Sequence, residues 1–233
     1  VLIHEVYEQQ LRSQRSELKR LQSQINPHFL YNSFFVLSRL IRSGDPGKAS
    51  RFSEYLGQYF QFITRDAPDE IRLEHEVQHA RAYTEIQTVC YDKRVAVLFE
   101  ELPPAFHDVM VPRLILQPLI ENGYKYAFDD KLHDGRLVIR FEEADGGERD
   151  SPPRPVIVIE DNGERLTDKQ LETMRRNLEH FNTFIDESTG MYNIHKRIQL
   201  KFGPGSGLQL SRSALGGLKV VLLLLQGEGT TRG

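Results

Sequence analysis

The segment Gln24-Ile-Asn-Pro-His-Phe-Leu-Tyr-Asn32 places a proline and then a histidine inside a long helical pattern. Apolar residues precede it at spacings of seven, three and four, as in the seam of a coiled coil: Leu11, Leu18, Leu21 and Ile25. Because a proline removes one backbone hydrogen bond from a helix, Pro27 predicts a kink that turns His28 outward. A neutral imidazole has a free lone pair and is a suitable nucleophile near neutral pH. A kink beside an ordinary surface histidine is the alternative.

The helical pattern runs to about Phe62 and breaks at Ser43-Gly44. Asp45 followed by Pro46 predicts a helix N-cap with proline at the first helical position. Two helices joined by so short a loop form an antiparallel hairpin. A single hairpin cannot bury an apolar stripe of this width, so we expect residues 1–67 to pair with a second copy as a four-helix bundle.

The region from residue 68 to residue 233 alternates between short helices and strands. Helices are expected at Glu74–Val89, Val111–Ala127, Thr167–Leu178 and Gly190–Phe202. Strands are expected at Arg94–Glu101, Arg136–Glu142, Pro155–Glu160, Leu208–Ser213 and Leu218–Leu225. Thr167 and Gln170 form a capping box, and the stretches 144–154 and 216–217 predict hairpin turns. Helices segregated from a hairpin-connected sheet indicate a two-layer α/β sandwich, which gives the chain the α+β fold class.

The composition excludes several classes of protein. The 30 basic and 33 acidic residues nearly balance, which gives no reason to propose nucleic acid as a partner. One cysteine, Cys90, excludes an internal disulfide and a cysteine-rich zinc cluster. No apolar run reaches the roughly 18–20 residues of a membrane span. The chain begins at Val1 in mid-helix, so we expect a sensor or a membrane anchor in a missing N-terminal part.

Three other segments carry polar groups suited to a nucleotide. Asn122 and Lys125 share a helix face in the predicted helix, and an amide oxygen binds Mg²⁺ while an ammonium binds phosphate. Asp161 ends a strand, where it can accept a hydrogen bond from an adenine amino group, and Gly163 lets the backbone approach a ligand. The stretch 188–193 precedes a helix whose N–H groups can hold phosphate. Taken singly, each has a plain alternative: a polar helix face, a turn, or a helix start.

In order and spacing these segments resemble the LytS-type sensor histidine kinases, over essentially Leu18–Leu225. The most specific match is Gln24–Asn32, and the segment Leu116–Lys125 is similar to the asparagine box of that family. The resemblance implies dimerisation and histidine-phosphotransfer helices in residues 1–67. It implies a catalytic domain in residues 68–233 that binds ATP and has the Bergerat type of two-layer sandwich.

The roles of individual residues follow from the same resemblance. His28 is expected to be the phosphoacceptor, Asn122 the Mg²⁺ ligand, and Lys125 a phosphate contact. Asp161 is expected to contact adenine with Gly163 beside it, and Thr189 and Gly190 to lie near the phosphates. The segment 164–187 corresponds to a mobile lid over ATP. The family further implies a homodimer, transfer to an aspartate of a response regulator, and a cytoplasmic location in a membrane protein.

The sequence departs from the family pattern in the glycine-rich boxes. Arg165 stands at the second glycine of Asp-x-Gly-x-Gly, and Ser188 stands at the first glycine of Gly-x-Gly-Leu. An arginine cannot enter glycine-only backbone conformations cheaply. These positions favour a second, non-enzymatic hypothesis, in which a degenerate kinase acts as a dimeric nucleotide-binding scaffold.

One further motif suggests a different enzyme class. His75-Glu-Val-Gln-His79 matches the His-Glu-x-x-His pattern, which on a helix can bind zinc and act as a metallopeptidase site. No convincing third ligand follows it in the sequence. We therefore expect these residues to form an ordinary solvated helix face.

Overall fold

The computed structural model describes residues 27–65, 68–91, 94–128, 133–144, 154–179 and 189–225. The chain divides into two compact units, Val1–Arg65 and Asp66–Gly233. The coiled-coil seam and the helix preceding Pro27, on which the kink depends, lie outside the described residues. So do Ser188, the tips of several predicted turns and residues 180–187 of the predicted lid.

The first unit contains an antiparallel pair of helices, α1 (Pro27–Arg42) and α2 (Pro46–Thr64). Gly44 has φ +74° in the turn between them, a conformation that favours glycine. The carboxylate of Asp45 accepts a hydrogen bond of 3.0 Å from the backbone N–H of Lys48, as an N-cap does. The predicted hairpin is therefore confirmed. Phe29 packs on Tyr59 with ring centroids 4.7 Å apart, in an apolar interior completed by Val36, Ala49, Phe52, Leu56 and Ile63.

The second unit is built on a five-stranded sheet with the order β2-β4-β5-β7-β6. Its strands are β2 (Val95–Phe99), β4 (Gly135–Glu143), β5 (Pro155–Asp161), β6 (Gly207–Arg212) and β7 (Leu218–Leu223). Strands β2 and β4 are parallel, and the remaining neighbours are antiparallel. Ile159 pairs with Ile139 on one side and Val220 on the other, so apolar side chains are aligned across one face.

Helices cover that apolar face, which gives the two layers expected from the sequence. They are α3 (Leu73–Cys90), α4 (Gln117–Asn122), α5 (Asp168–Glu179) and α6 (Thr189–Phe202), with a short 3₁₀ turn at Pro104–Phe106. Thr167 and Gln170 exchange hydrogen bonds at the start of α5, which confirms the predicted capping box. The α+β fold class is thus confirmed.

The helix predicted at Val111–Ala127 is wrong over its first six residues, 111–116. Met110–Pro112 forms strand β3, which pairs antiparallel with β1 (Glu70–Arg72). Leu114 then has φ +59°, and the α-helix begins only at Gln117 before it widens into a π turn at Gly123–Ala127. The apolar spacing fits a helix, but long-range partners take the backbone N–H groups that a helix would have used.

The centre of the sheet is buried, and its packing can be tested by substitution at Ile157. We expect Ile157→Ala to lower the free energy of unfolding by about 2–5 kcal/mol, because Ile157 is fully buried on β5. Urea unfolding followed by circular dichroism measures this loss. The matched control, Leu98→Ala on edge strand β2, removes a side chain that is 56% exposed and should change stability by at most about 0.5 kcal/mol. Equal effects of the two substitutions would contradict the assigned sheet order.

Candidate functional site

A cavity of about 540 Å³ lies in the second unit, against the ends of β5 and β7 and beneath helices α4 and α5. Its apolar lining comes from both layers: Leu119, Ile159, Met174, Met191, Leu218 and Val220. Its polar lining includes Asn122, Tyr126, Asp161, Arg165, Lys169 and Asn177. Apolar walls with a few convergent polar groups are typical of a small-molecule site, and the volume suits a nucleotide.

Asp161 is the buried acidic group of this cavity. Its Oδ1 accepts hydrogen bonds from the backbone N–H groups of Gly163 (2.8 Å) and Leu218 (3.2 Å). Its main-chain oxygen accepts a bond of 3.2 Å from the N–H of Gly217. The carboxylate is therefore held in one orientation at the end of β5, with the side chain only 7% exposed.

Two glycines make this arrangement possible. A Cβ added at Gly163 would lie 2.6 Å from the Cβ of Ala127 in the π turn. A Cβ added at Gly217 would lie 1.9 Å from Oδ1 of Asp161 and 2.5 Å from the backbone N of Gly163. Since side-chain carbons do not approach other atoms so closely, the floor of the cavity requires glycine at both positions.

Asn162 shows that the Asp-Asn-Gly sequence is more than a simple turn. Its Oδ1 accepts a bond of 2.7 Å from the N–H of Arg136, and its Nδ2 donates one of 2.7 Å to the oxygen of Asp134. Asn162 thereby fastens the end of β5 to the start of β4. The sequence carried no signal for this role, because both partners lie more than twenty residues earlier.

The side chains that line the cavity from the region of Asn122 are not the pair that the sequence predicts. Asn122 lines the cavity together with Tyr126, four residues later. Lys125 is exposed and is not among the lining residues; its Nζ donates to the hydroxyl of Tyr126 at 2.8 Å and lies 4.7 Å from that ring. The π turn at Gly123–Ala127 changes the angular spacing of side chains, so Asn122 and Lys125 do not both face the cavity.

Two cations on the α5 side line the cavity. Arg165, at the position where the sequence departs from a glycine, and Lys169 in the first turn of α5 both contribute to its wall. Lys169, Thr173 and Asn177 recur every four residues, so one face of α5 lines the site. This helical spacing is the signal that could have identified Lys169 and Asn177 from the sequence.

The described part of the predicted lid is tied to the sheet. Arg175 Nε of α5 donates to the main-chain oxygen of Leu210 on β6 at 2.8 Å. Arg212 of β6 contacts the oxygen of Leu166 (2.8 Å) and the carboxylate of Asp168 (2.6 Å). These bonds connect Leu166, Asp168 and Arg175 to the edge strand β6.

The last predicted site residues lie at the start of α6 and in the first unit. Gly190 is exposed next to Met191, which lines the cavity, whereas the side chain of Thr189 lies outside the described residues. His28 is exposed in the first turn of α1, and the Nδ2 of Asn32 lies 3.3 Å from its Nε2. The imidazole is thus open to solvent and close to an amide one helical turn away.

The His75-to-His79 motif has a structural role that contradicts the expected solvated face. The carboxylate of Glu76 is completely buried and accepts three backbone N–H groups, from Leu114 (2.9 Å), Ile115 (2.7 Å) and Leu116 (2.9 Å). The Nε2 of His79, also buried, lies 2.7 Å from Oε1 of Gln117. Within the described ranges, no cluster of three or more His, Cys, Asp or Glu side chains is placed to hold a metal ion. The motif does not fit a zinc peptidase.

Burial shifts the proton equilibria of this pair. Burial raises the pKa of Glu76, against the opposing effect of the three N–H groups. Burial lowers the pKa of His79 to about 4, which keeps its imidazole neutral at physiological pH. A neutral imidazole that donates from Nε2 satisfies the oxygen of Gln117 without a buried charge.

Comparison with known proteins identifies the family. Residues 16–95, which include His28 and α3, match the sequence profile of the family described as histidine kinase. The sensor histidine kinase YesM of Bacillus subtilis is 29% identical over 96% of this chain and 36% of its own length. The sensor protein LytS of Staphylococcus saprophyticus is 29% identical over 84% of this chain and 31% of its own length. The chain belongs to the LytS-type sensor histidine kinases.

This LytS-type chain spans about a third of the length of those two sensors. It is also 31% identical to the uncharacterized protein YwpD of Bacillus subtilis, over 93% of this chain and 72% of that protein. A solved histidine kinase domain from Erythrobacter litoralis EL346 aligns over 90% of this chain and 93% of its own, with 18% identity and a TM-score of 0.45. That likeness is too distant to bear on function. Of the helices described, none is long and apolar enough to cross a membrane.

A substitution at Gly217 tests the close packing at the floor of the cavity. We expect Gly217→Ala to lower stability by about 1–3 kcal/mol, because the added carbon collides with Asp161 Oδ1 and the backbone of Gly163. Thermal unfolding measures the loss. Gly205→Ala is the matched control, because its Cβ would meet only Leu225 at 3.9 Å, an ordinary contact. A Gly217→Ala protein as stable as the control would exclude the packing described.

His79 makes stability depend on pH. Its pKa is lower in the folded chain (about 4) than the ordinary 6.5, so the unfolded chain binds the proton more readily between those values. Its contribution is therefore complete above pH 6.5 and is lost as pH falls towards 4, by up to about 3 kcal/mol. We expect His79→Gln to flatten this slope in urea unfolding at several pH values. His133→Gln, which removes an imidazole that is 84% exposed, should leave the slope unchanged; an unchanged slope in His79→Gln would refute the assignment.

Proposed function

We propose that the chain is the catalytic part of a two-component sensor kinase that uses ATP to phosphorylate His28. The observation that carries the proposal is that one cavity is lined by Asn122, Asp161, Arg165 and Lys169, in a chain that matches the histidine kinase family. An acidic hydrogen-bond acceptor, an amide oxygen and two cations suit an adenine nucleotide better than an uncharged ligand. ATP is the proposed phosphoryl donor.

Adenine is proposed to bind against the inner face of the sheet. Asp161 would accept the hydrogen bond of the adenine amino group, in the orientation that Gly163 and Leu218 impose on its carboxylate. Ile159 and Val220 offer apolar contact to the ring. Because the acceptor is oriented before the ligand arrives, little conformational freedom is lost on binding.

The phosphates are proposed to extend towards α4 and the first turn of α5. Arg165 and Lys169 would offset their negative charge. Asn122 supplies an amide oxygen of the kind that Mg²⁺ takes when it binds through one or two protein groups and the phosphates of a substrate. Such an ion would neutralise charge on the phosphates. Lys125 would reach phosphate after its Nζ leaves the hydroxyl of Tyr126, and Thr189 and Gly190 would contribute N–H groups at the start of α6.

His28 is the proposed nucleophile. The lone pair of its neutral imidazole would form a bond to the γ-phosphorus as the bond to the leaving ADP breaks. The exposure of His28 in α1 supports this role, because the ring must meet a separate unit of the same chain or of a second copy. The phosphoryl group would then pass to an aspartate of a response regulator.

Two hairpins are proposed to pair as a homodimer. Four large apolar side chains of α1 are 56–72% exposed: Tyr31, Phe34, Phe35 and Ile41. Patches of this kind mark contact surfaces rather than solvated faces. We place the chain on the cytoplasmic side of a membrane-attached sensor, whose remaining length would carry the sensing and membrane parts.

A second candidate is a degenerate kinase that binds nucleotide as a dimeric scaffold. Arg165 favours it, because a long side chain stands in the cavity wall where the family pattern has glycine. In this case the cavity would bind ATP without transfer to His28.

Incubation with γ-labelled Mg²⁺-ATP separates the candidates. We expect acid-labile, alkali-stable label on the wild-type chain, and none on His28→Gln, because phosphorus bound to an imidazole nitrogen has that stability. His75→Gln, at another exposed helical histidine, should retain the label. Asn122→Ala should lose it together with Mg²⁺-ATP affinity.

Other outcomes of this experiment would reject His28, support the scaffold or end both proposals. Label that survives His28→Gln would remove His28 as the phosphoacceptor. Calorimetric binding of ATP without any label supports the scaffold. No binding at millimolar ATP would end both proposals.

A further inference from the structure

We infer that Glu76 is a positioning residue for the nucleotide site, which holds the segment leading into α4 and thereby sets where Asn122 lies. This inference rests on the proposed function of the cavity. The observation behind it is that a buried carboxylate of α3 binds three successive backbone N–H groups immediately before the helix that carries Asn122.

The contacts account for the irregular path of this segment. Leu114 has φ +59°, a backbone conformation that side chains other than glycine adopt at a cost. In that conformation the N–H groups of Leu114, Ile115 and Leu116 all converge on the two oxygens of Glu76. The three bonds stabilise this conformation and reduce the cost of burying the carboxylate.

Two further contacts hold the same segment. At the first residue of α4, Gln117 is bound by His79, one turn beyond Glu76 on the same face of α3. Arg197 of α6 donates to the main-chain oxygen of Arg113 at 2.5 Å. The segment 113–117 is therefore connected to α3 and to α6, and Asn122 follows Gln117 by five residues as the last residue of the same short helix.

The position of Asn122 depends on this segment because α4 is short. Its six residues cannot form a stable helix by themselves, so its start must be held by tertiary contacts. A small displacement of a metal-binding oxygen weakens metal binding, since Mg²⁺ tolerates little deviation from octahedral geometry. Loss of the Glu76 contacts should therefore act on Mg²⁺-ATP more than on ATP alone.

Calorimetric titration of ATP with Mg²⁺ and with EDTA tests the inference. We expect Glu76→Gln, which turns one acceptor oxygen into a donor, to weaken Mg²⁺-ATP binding about tenfold. Binding of ATP in EDTA should change by less than about twofold. In the Asn122→Ala background, Glu76→Gln should add less than about twofold, because both substitutions remove the same contact. Glu85→Gln, the same change at an exposed position of α3, should alter neither value.

A purely structural role gives a different result. Equal losses with and without Mg²⁺, or additive losses with Asn122→Ala, would show that Glu76 only supports folding and would overturn the inference. No loss at all would overturn it as well. A wild-type chain that binds no ATP under either condition would instead remove the proposed function of the cavity.

A second variant and a measurement on the wild-type chain cover the case in which Glu76→Gln unfolds. Leu114→Gly adopts φ +59° without cost, so the double variant Glu76→Gln/Leu114→Gly should recover melting temperature while Mg²⁺-ATP binding stays about tenfold weaker. Recovery of both would refute the positioning role. In the wild-type chain, hydrogen exchange at the amides of Leu114, Ile115 and Leu116 should be as slow as in the core strands. Exchange at loop rates would contradict the contacts themselves.

Discussion

A buried carboxylate that finds three backbone donors organises the helical layer of the second unit. Glu76 lies within α3, out of contact with water, and an unpaired charge there would be very unfavourable. Its partners are the N–H groups of residues 114–116, which in a regular helix or sheet would bond to main-chain oxygens. The chain between β3 and α4 therefore has one satisfactory path, and α3, α4 and α6 are joined through it.

The cavity depends on a second close contact, at the end of the sheet. Gly163 and Gly217 pack against Ala127 and the Asp161 carboxylate at distances that exclude any side chain. This packing brings the π turn onto the strand ends, and Asn162 fastens the same corner to the start of β4. The acidic acceptor is thus part of a rigid floor, whereas the cations that face it come from α5 and the segment before it.

The geometry of the cavity explains why an arginine is tolerated at position 165, where the family pattern has a glycine. Arg165 follows Gly163 by two residues, lines the cavity, and does not have the positive φ that favours glycine. Gly163, where a close backbone approach exists, is retained. The glycine is therefore kept at Gly163, where the packing requires it, and is replaced at Arg165, where a guanidinium adds positive charge to the cavity lining.

The sequence by itself determined the elements whose signals are local. The break at Ser43-Gly44, the Asp45 cap, the Thr167 capping box and the central strands follow from hydrogen bonds and apolar periods within a few residues. The match of Gln24–Asn32 to a family likewise needs no structure. Such signals depend only on the side chains within one segment, and these can be read directly from the sequence.

Only the tertiary structure decided the path of residues 111–117, the burial of Glu76 and His79, and the turning of Lys125 away from the cavity. The N–H groups of residues 114–116 bond to a side chain thirty-eight to forty residues earlier, and no local pattern encodes that distance. A helical spacing of apolar residues predicts which side chains are buried, but it does not say which partner takes the backbone hydrogen bonds. Where two segments could accept hydrogen bonds from the same backbone N–H groups, the packing of the whole unit determines which segment does so.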